Sequence, residues 1–354
     1  MKNSDVEQLL ESDFSGESAS EVSALPIEQR MELVRRLKRI RKTIILAHNY
    51  QEGPIQDVAD FVGDSLKLAR YAQKVQEPVI LFCGVHFMAE TAAMLCPDKK
   101  VLVPDLAAGC SLADMVVPSQ IRQWKRVHPG GAVVCYINTS AAVKAECDYC
   151  CTSANGEAII QAIDPDQEIL FVPDFYLGSY LKAKTGRNIH LWKGYCPAHT
   201  AITPEGVERL QEKYPDAEFL MHPECGCLTK QMDLADKILS TDGMIQYVQR
   251  APANSFIVAT ENGILHRMRK ENPGKTFIPA SEQASCHHMQ RNTLDKVLHS
   301  LITLQYPVTV EPELAERALV PLRRMMEITE SSGKHYSIPR FSWDPILEAA
   351  NDLS

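Results

Sequence analysis

The chain has 354 residues, of which 37 are Lys or Arg and 45 are Asp or Glu, so its formal net charge is −8. A hydrophobic share of 45% and a charged share of 23% exclude a disordered, collagen-like or coiled-coil chain. The acidic balance argues against a nucleic-acid binder that depends on phosphate contacts. A chain of this length predicts two or three domains, each with its own core.

The amino-terminal 25 residues carry one Lys and six acidic residues, which is the reverse of a secretory signal. We expect residues 1–25 to form a flexible, solvated tail. The longest uncharged run, between Arg126 and Lys144, contains several polar residues and makes a poor membrane span. The sequence therefore predicts a cytoplasmic protein with no membrane or nucleic-acid partner.

A helical pattern at residues 27–41 is followed by short apolar runs that recur about every 85–90 residues. Each run is typical of a buried parallel strand, and helical patterns lie between the runs. The first strand of each repeat ends next to His48, Asn138 or His222. The predicted strands are 43–47, 78–83 and 100–103, then 132–137, 168–172 and 188–191, then 218–221, 255–259 and 275–278.

A finer motif, Asp-x4-Ser/Thr, recurs in each repeat just before a helical pattern. Its hydroxyl is suited to cap the helix that follows. A helix start also offers free N–H groups and the positive end of a dipole, so three of them could converge on an anion. Both interpretations remain open from sequence. The three copies are Asp60 to Ser65, Asp148 to Ser153 and Asp236 to Thr241.

Alternating strands and helices predict an α/β fold of three analogous three-layer α/β/α units, Rossmann-like with parallel sheets, around a pseudo-threefold axis. No G-x-G-x-x-G or Walker A sequence is present, so a dinucleotide or P-loop site is not indicated. Ligands of open α/β sheets bind at the carboxyl ends of the strands. His48, Asn138 and His222 lie at such ends and are candidate site residues.

Eleven cysteines is a high and odd number for a chain of this size, which favours metal or thiol chemistry over a disulfide framework. Cys110, Cys196 and Cys286 each follow the last strand of a repeat and are 86 and 90 residues apart. Three thiolates could hold a [4Fe–4S] cluster with one open iron, or a zinc ion, unless the register is accidental.

Five other cysteines lie close together in two short clusters. Cys147, Cys150 and Cys151 are interpreted as core thiols, whereas Cys225 and Cys227 remain open between a core role and a site role because they follow Glu224.

Several longer segments carry a family resemblance. They are Ala47-His-Asn-Tyr-Gln51, Gly63-Asp-Ser-Leu66, Gly84-Val-His-Phe-Met-Ala-Glu-Thr91, Ala108-Gly-Cys-Ser-Leu-Ala-Asp114, Tyr136-Ile-Asn-Thr-Ser-Ala-Ala-Val-Lys144, His222-Pro-Glu224 and Val258-Ala-Thr-Glu261. Over residues 26 to 330, the chain resembles the quinolinate synthase family. That resemblance implies three α/β/α units around a pseudo-threefold axis, in agreement with the repeat.

The resemblance also implies one [4Fe–4S] cluster per chain, held by Cys110, Cys196 and Cys286, with the open iron acting as a Lewis acid. It implies a condensing and dehydrating enzyme of de novo NAD biosynthesis. The substrates would be iminoaspartate (iminosuccinate) and dihydroxyacetone phosphate, and the products quinolinate, phosphate and water. The implied partners are an aspartate oxidase or dehydrogenase that hands over iminoaspartate and the iron–sulfur assembly machinery.

Catalytic roles are implied for Glu224 as general base, Tyr136 as an acid, base or orienting group, and His48. A capping role for Glu224 and a core role for Tyr136 are the alternatives. His48, Tyr136, His222 and Glu224 would also contact substrate. The groups that would bind carboxylates or phosphate are Ser65, Asn138, Ser153 and Thr241.

The predicted domain boundaries are 1–25 for the tail, 26–114, 115–199 and 200–288 for the three α/β units, and 289–354 for carboxyl-terminal helices that pack on them. Apolar stripes predict helices at 294–304 and 313–328, the second interrupted and kinked at Pro321. A homodimer is one possible assembly. A regulatory iron–sulfur protein and a zinc-dependent lyase or hydrolase are the alternative functions.

Overall fold

The computed structural model describes residues 16–331 of the chain. Residues 1–15 of the predicted tail, and residues 332–354, lie outside the described residues. The rest of that tail is not wholly solvated, because helix α1, Gly16–Ser23, lies within it. Its Val22 is only 4% exposed and joins an apolar cluster of the first unit.

Three parallel four-stranded sheets confirm the predicted α/β fold class, and they share one strand order. The first sheet contains β1 Thr43–His48, β2 Phe61–Gly63, β3 Val79–Cys83 and β4 Lys100–Leu102, in the order β2-β1-β3-β4. The second contains β5 Ala132–Tyr136, β6 Tyr149–Cys151, β7 Ile169–Val172 and β8 Ile189–Leu191, in the order β6-β5-β7-β8. The third contains β9 Glu218–Met221, β10 Lys237–Ile238, β11 Ser255–Ala259 and β12 Thr276–Pro279, in the order β10-β9-β11-β12.

The repeated aspartate of the Asp-x4-Ser/Thr motif has a structural role that is the same in each unit. Its carboxylate accepts a hydrogen bond from a backbone N–H of the first strand, and its own N–H donates to the carbonyl of the same residue. These bonds fix the register of the short strand that begins just after the aspartate. The carboxylate bonds are Asp60 to Ile45 (2.8 Å), Asp148 to Val133 (2.8 Å) and Asp236 to Phe219 (2.7 Å).

Helices connect the strands and cover both faces of the sheets. They are α2 Ile27–Ile40, α3 Gly53–Val58, α4 Ser65–Ala72, α5 His86–Leu95, α6 Pro118–Val127, α7 Ala141–Lys144, α8 Gly156–Gln161, α9 Phe175–Thr185, α10 Pro197–Thr200, α11 Pro204–Lys213, α12 Leu228–Gln231, α13 Thr241–Arg250, α14 Ile264–Glu271, α15 Leu294–Thr303 and α16 Pro312–Ser331. Short 3₁₀ turns lie at Ala113–Met115, Met232–Leu234 and Met289–Arg291.

The two carboxyl-terminal helices pack on different units. Helix α15 contributes Val297, Leu298 and Leu301 to the apolar cluster that also buries α2 against the first sheet. Helix α16 lies against β6, α7 and α8 of the second unit. It continues through Pro321, so the predicted interruption is wrong. The proline ring is buried there, and its packing offsets the missing backbone hydrogen bond.

The strand order reverses between the two central strands of each sheet, and open α/β sheets bind ligands at this switch point. The loops after β1, β5 and β9 therefore carry the functional candidates. Among the helices of residues 16–331, none combines the length and apolar character that crossing a bilayer requires.

Candidate active site

A cavity lies where loops from all three units meet. Every site residue predicted from sequence lines it, although the residues come from segments up to about 240 positions apart. They are His48, Ser65, Cys110, Tyr136, Asn138, Ser153, Cys196, His222, Glu224, Thr241 and Cys286.

Of the three candidate residues at the ends of the first strands, His48 and Asn138 lie in loops that are fixed by hydrogen bonds within the loop. His48 ends β1, and its Nδ1 accepts the Tyr50 N–H at 3.2 Å, so the neutral ring carries its proton on Nε2. Asn138 follows β5. Buried Lys144 donates from Nζ to the carbonyls of Ile137 and Thr139 on either side of Asn138, which fixes that loop. Lys144 is therefore structural.

The three repeated hydroxyls are not helix caps, so the capping interpretation of the motif is wrong, whereas the anion-binding interpretation stays a prediction. Asp64 and Ser240 cap α4 and α13 through their side chains, and Asn155 precedes α8. Ser65 and Thr241 are instead the first residues of their helices, and their hydroxyls face the cavity. The residue one position earlier takes the capping role because an aspartate or serine there already reaches the free N–H groups.

The hydroxyls of Ser153 and Thr241 also have partners of their own. Ser153 Oγ lies 3.1 Å from Nε2 of His222. Thr241 Oγ1 accepts from Asn49 Nδ2 at 3.0 Å, which leaves its O–H free to donate into the cavity. Hydroxyls in these positions suit a bound carboxylate or phosphate.

A buried ion pair lies behind Ser65 and Thr241. Lys67 Nζ is 3.2 Å from a carboxylate oxygen of Asp242, and the two side chains are 6% and 2% exposed. The same oxygen accepts the Asp64 N–H at 3.1 Å. Burial, and next the charge of Asp242, raise the pKa of Asp64 to about 7. This network joins the first unit to the third at the edge of the cavity.

Two histidines and a glutamate form the most buried polar cluster of the cavity. Oε2 of Glu224 lies 3.1 Å from Nδ1 of His199 and 3.7 Å from Nδ1 of His222. Burial lowers the pKa of His48 to about 4 and that of His199 to about 3, and it holds the pKa of His222 well below its ordinary value. All three rings are therefore neutral at pH 7.

The same burial raises the pKa of Glu224 to about 7, and the nearby Tyr136 hydroxyl offsets part of that rise. Burial, and next the charge of Glu224, raise the pKa of Tyr136 well above its ordinary value. A carboxylate that titrates near neutrality beside a protonated phenol is suited to proton transfer.

Four buried polar atoms of this cavity have no hydrogen-bond partner within the described residues 16–331. Buried polar groups are nearly always satisfied, so a cluster of such atoms marks a place where a ligand or water completes the bonding. They are Asn138 Oδ1, His199 Nδ1, His222 Nδ1 and Glu224 Oε1.

The cavity residues that the sequence did not indicate as site residues include Tyr50, His199 and Glu261. The Tyr50 hydroxyl lies 2.6 Å from Thr260 Oγ1, which in turn lies 3.0 Å from His199 Nε2. His199 stands three residues after Cys196, and this Cys-x-x-His spacing was the available signal.

Glu261 supports the third cysteine loop. Its two carboxylate oxygens accept the N–H groups of Cys286 (3.1 Å) and Gly263 (2.7 Å). A Cβ atom on Gly263 would lie 2.6 Å from the carbonyl oxygen of Tyr50, so only glycine allows the first and third units to approach so closely. Burial raises the pKa of Glu261 to about 7.

Cys110, Cys196 and Cys286 are free, partly buried thiols that line one side of the cavity. Burial raises the pKa of all three thiols, that of Cys110 to about 12, and each is raised further by the charge of Glu224. Three thiolates could persist together only beside a cation.

The sulfurs of these three thiols are not all close neighbours. Within residues 16–331, sets of three potential ligand atoms that all lie within 4.8 Å of one another occur, but the three cysteine sulfurs do not form one. Thiolates bound to one zinc ion lie about 4 Å apart, given Zn–S bonds of about 2.3 Å and tetrahedral geometry.

Cys196 also belongs to a closer set with His199 and Glu224. In that set, His199 Nδ1 lies 3.1 Å from Glu224 Oε2 but is not hydrogen-bonded to it. The remaining short-spaced cysteines are not on the cavity. Cys147, Cys150, Cys151, Cys225 and Cys227 are all buried, which settles the open question for the last two in favour of a core position.

The fold and the cavity together define an α/β protein with a buried polar cavity where its three units meet. Comparison with known proteins is more specific. The family model described as "Quinolinate synthetase A protein" matches residues 32–327. The chain belongs to this quinolinate synthase family and is an enzyme.

Relatives from distant organisms support this assignment over nearly their whole length. A quinolinate synthase of Pyrobaculum aerophilum is 52% identical over 302 residues, which cover 84% of this chain and 98% of the relative. A quinolinate synthase of Thermus thermophilus is 51% identical over 297 residues, covering 83% and 96%. The quinolinate synthase of Mycobacterium tuberculosis is 46% identical over 310 residues, covering 85% and 89%.

Proposed function

We propose that this enzyme condenses iminoaspartate with dihydroxyacetone phosphate to form quinolinate, in NAD biosynthesis. The overall change forms a carbon–carbon bond and a ring carbon–nitrogen bond, and it releases phosphate and two water molecules. The observation that carries the proposal is the single cavity in which a titratable carboxylate, hydroxyls at helix starts and three free thiols meet. Membership of the quinolinate synthase family supports it.

A [4Fe–4S] cluster is proposed at Cys110, Cys196 and Cys286. Three partly buried thiols that line one cavity, with sulfurs not all within 4.8 Å of one another, would fit such a group. The cluster would supply a Lewis-acid iron with an open position, which polarises a substrate oxygen. Glu261 would fix the third ligand by holding the backbone of Cys286.

The anionic groups of the substrates are assigned to the hydroxyl side of the cavity. Iminoaspartate has two carboxylates, and dihydroxyacetone phosphate has one phosphate. Ser65 and Thr241 offer hydroxyls at the first residue of α4 and α13, where the helix dipole favours negative charge. Ser153 and Asn138 complete this set.

Proton transfer is assigned to Glu224 and its neighbours. The condensation requires removal of a proton from carbon or nitrogen and later delivery of protons to leaving oxygens. Glu224 can accept a proton near neutral pH because its pKa is raised to about 7. Tyr136 remains protonated and can donate, while neutral His48 and His222 can hydrogen-bond substrate oxygens.

Burial also helps to exclude water from this chemistry. Glu224, His48 and His222 are each at most 4% exposed, so the reacting groups would be enclosed once substrate fills the mouth. An unstable imine is protected by such a site. The aspartate oxidase or dehydrogenase that supplies it, the iron–sulfur assembly machinery, a homodimer and a cytoplasmic location all stay predictions.

The test is an anaerobic assay of the purified protein with dihydroxyacetone phosphate and iminoaspartate generated in place. Quinolinate and phosphate should appear in equal amounts. Phosphate without quinolinate, or neither product from protein that retains its iron and sulfide, would contradict the proposal. Protein in which Glu224 is replaced by Gln is the matched control, because it should retain the cluster.

A further inference from the structure

A second cluster of metal-ligand side chains lies in the second unit, away from the cavity. His128 follows α6, Glu168 precedes β7, and His190 lies in the edge strand β8. Each offers a ligand atom, and these atoms all lie within 4.8 Å of one another. None of the three lines the active-site cavity.

The distances place Glu168 between the two rings. One carboxylate oxygen lies 2.7 Å from His128 Nδ1, and the other lies 3.8 Å from His190 Nε2. The side chains of His128, Glu168 and His190 are 27%, 50% and 39% exposed, so the group opens to solvent on one side.

Packing around Trp124 orients the cluster. The Trp124 ring stacks on His128 with centroids 4.4 Å apart and meets His190 edge-on at 6.0 Å. Trp124 is itself fixed against Gly131, where a Cβ atom would lie 2.5 Å from the indole ring. The imidazoles are thus held without help from a ligand.

An ion pair accounts for only part of this arrangement. A protonated His128 can pair with Glu168, but Nε2 of His190 is buried and has no hydrogen-bond partner. Protonating both rings would place two like charges about 5 Å apart, which is unfavourable. A bound cation uses both rings in their neutral form and satisfies all three side chains at once.

We propose that His128, Glu168 and His190 form a binding site for a divalent transition-metal ion of the zinc class, with water in the remaining position. Two imidazoles and a carboxylate are an established zinc ligand set, and imidazole ligands disfavour Mg²⁺ and Ca²⁺. The ion would tie the end of α6 and the start of β7 to the edge strand β8. Because it binds the folded chain, it would also stabilise that chain.

Equilibrium dialysis of the anaerobically purified protein against excess Zn²⁺ tests the site. Wild type should bind one Zn²⁺ more per chain than His128→Asn, His190→Asn or Glu168→Gln, and excess Mg²⁺ should not displace it. Zn²⁺ should raise the thermal unfolding midpoint of wild type but leave that of His190→Asn unchanged. Iron content should be the same in all variants.

His266→Asn is the matched control, because His266 also pairs with a carboxylate, Asp57 at 2.9 Å, but forms no such three-ligand set. It should bind as much Zn²⁺ as wild type. Equal Zn²⁺ in wild type and all three site variants would overturn the proposal, as would failure of wild type to bind the extra ion. Iron content and quinolinate formation are measured separately from Zn²⁺ binding. A failure to bind Zn²⁺ at this site therefore leaves the proposed function unaffected.

Discussion

His199 Nδ1 and Glu224 Oε2 lie 3.1 Å apart, although the second unit supplies one residue and the third unit the other. Both side chains are at most 3% exposed. Burial explains why the imidazole stays neutral and why the carboxylate titrates near pH 7. The proposed proton-transfer group therefore forms only when the units are assembled, and the chemistry assigned to it would take place at their junction.

Replacing Glu224 by Gln should remove the general base while keeping the size of the side chain. We expect kcat to fall about 10²- to 10⁴-fold, the usual contribution of a positioned base. Iron and sulfide content should not change. Glu205→Gln is the control, since that carboxylate is 61% exposed in a surface pair. Retention of full activity by Glu224→Gln would remove Glu224 from the mechanism.

The pH dependence of kcat/KM should follow the raised pKa of Glu224. A base must be deprotonated to act, and the pKa of this carboxyl is raised from 4.5 to about 7. Activity should therefore rise with pH, reach half its maximum near pH 7, and level above it. His48 and His199 should add no inflection near neutrality because their pKa values are lowered to about 4 and 3. A rising limb centred near pH 4.5 would contradict this account.

Cysteine substitutions should separate the proposed ligands from the core thiols. Cys110→Ser, Cys196→Ser and Cys286→Ser should each abolish retention of iron and sulfide. Cys147→Ser should retain both, because Cys147 is buried and donates to the Val143 carbonyl at 3.1 Å, a bond that a hydroxyl can replace. Elemental analysis and visible absorption of anaerobic samples measure the outcome. Full iron content in Cys196→Ser would exclude that ligand.

The repeated aspartate should stabilise each unit through its backbone bond rather than its ion pair. Asp148→Ala leaves the Val133 N–H without its side-chain acceptor, at a cost of about 1–3 kcal/mol. Lys125→Met removes only the ion pair to Asp148, whose side chains are about one-third exposed, and should cost less than about 1 kcal/mol. Urea unfolding followed by circular dichroism compares them. Equal losses would assign the stabilisation to the ion pair.

Breaking the buried Lys67–Asp242 pair should damage both stability and anion binding. Lys67→Met removes one cation from the buried Asp242, which keeps Arg267 Nη1 at 3.6 Å, so stability should fall by less than the about 3–5 kcal/mol typical of a buried charge left wholly unpaired. Because the pair lies behind Ser65 and Thr241, KM for the anionic substrates should rise. Lys230→Met, in an exposed pair, is the control. An unchanged unfolding midpoint and KM would show that the pair is dispensable.

The repeat could be predicted because its strands are apolar, and a buried parallel strand requires an apolar run. The strands β2, β6 and β10 could not, since two or three residues carry no periodic signal. Their aspartates were visible in the motif, but their bonds to the neighbouring strand depend on a register that sequence does not reveal. The capping role was assigned to the wrong residues because Asp64 and Ser240, which lie one position before the motif hydroxyls, cap those helices instead.

The candidate site was predictable where several signals agreed. Cysteines in register and polar residues at strand ends indicate the cavity from sequence alone. His199 and Tyr50 were missed because their importance comes from contacts across units, with Glu224 and Thr260. A sequence pattern within one unit does not indicate which residues of another unit its side chains will contact.

The most direct test of the central claim is the iron, acid-labile sulfide and zinc content of protein purified under strictly anaerobic conditions. The account predicts about four irons and four sulfides per chain, as a [4Fe–4S] centre requires. Both should be absent from Cys110→Ser, Cys196→Ser and Cys286→Ser. Quinolinate formation by protein that contains neither iron nor sulfide would contradict the account. Zinc in place of iron and sulfide would indicate a zinc enzyme instead, provided that the His128→Asn variant also retains this zinc.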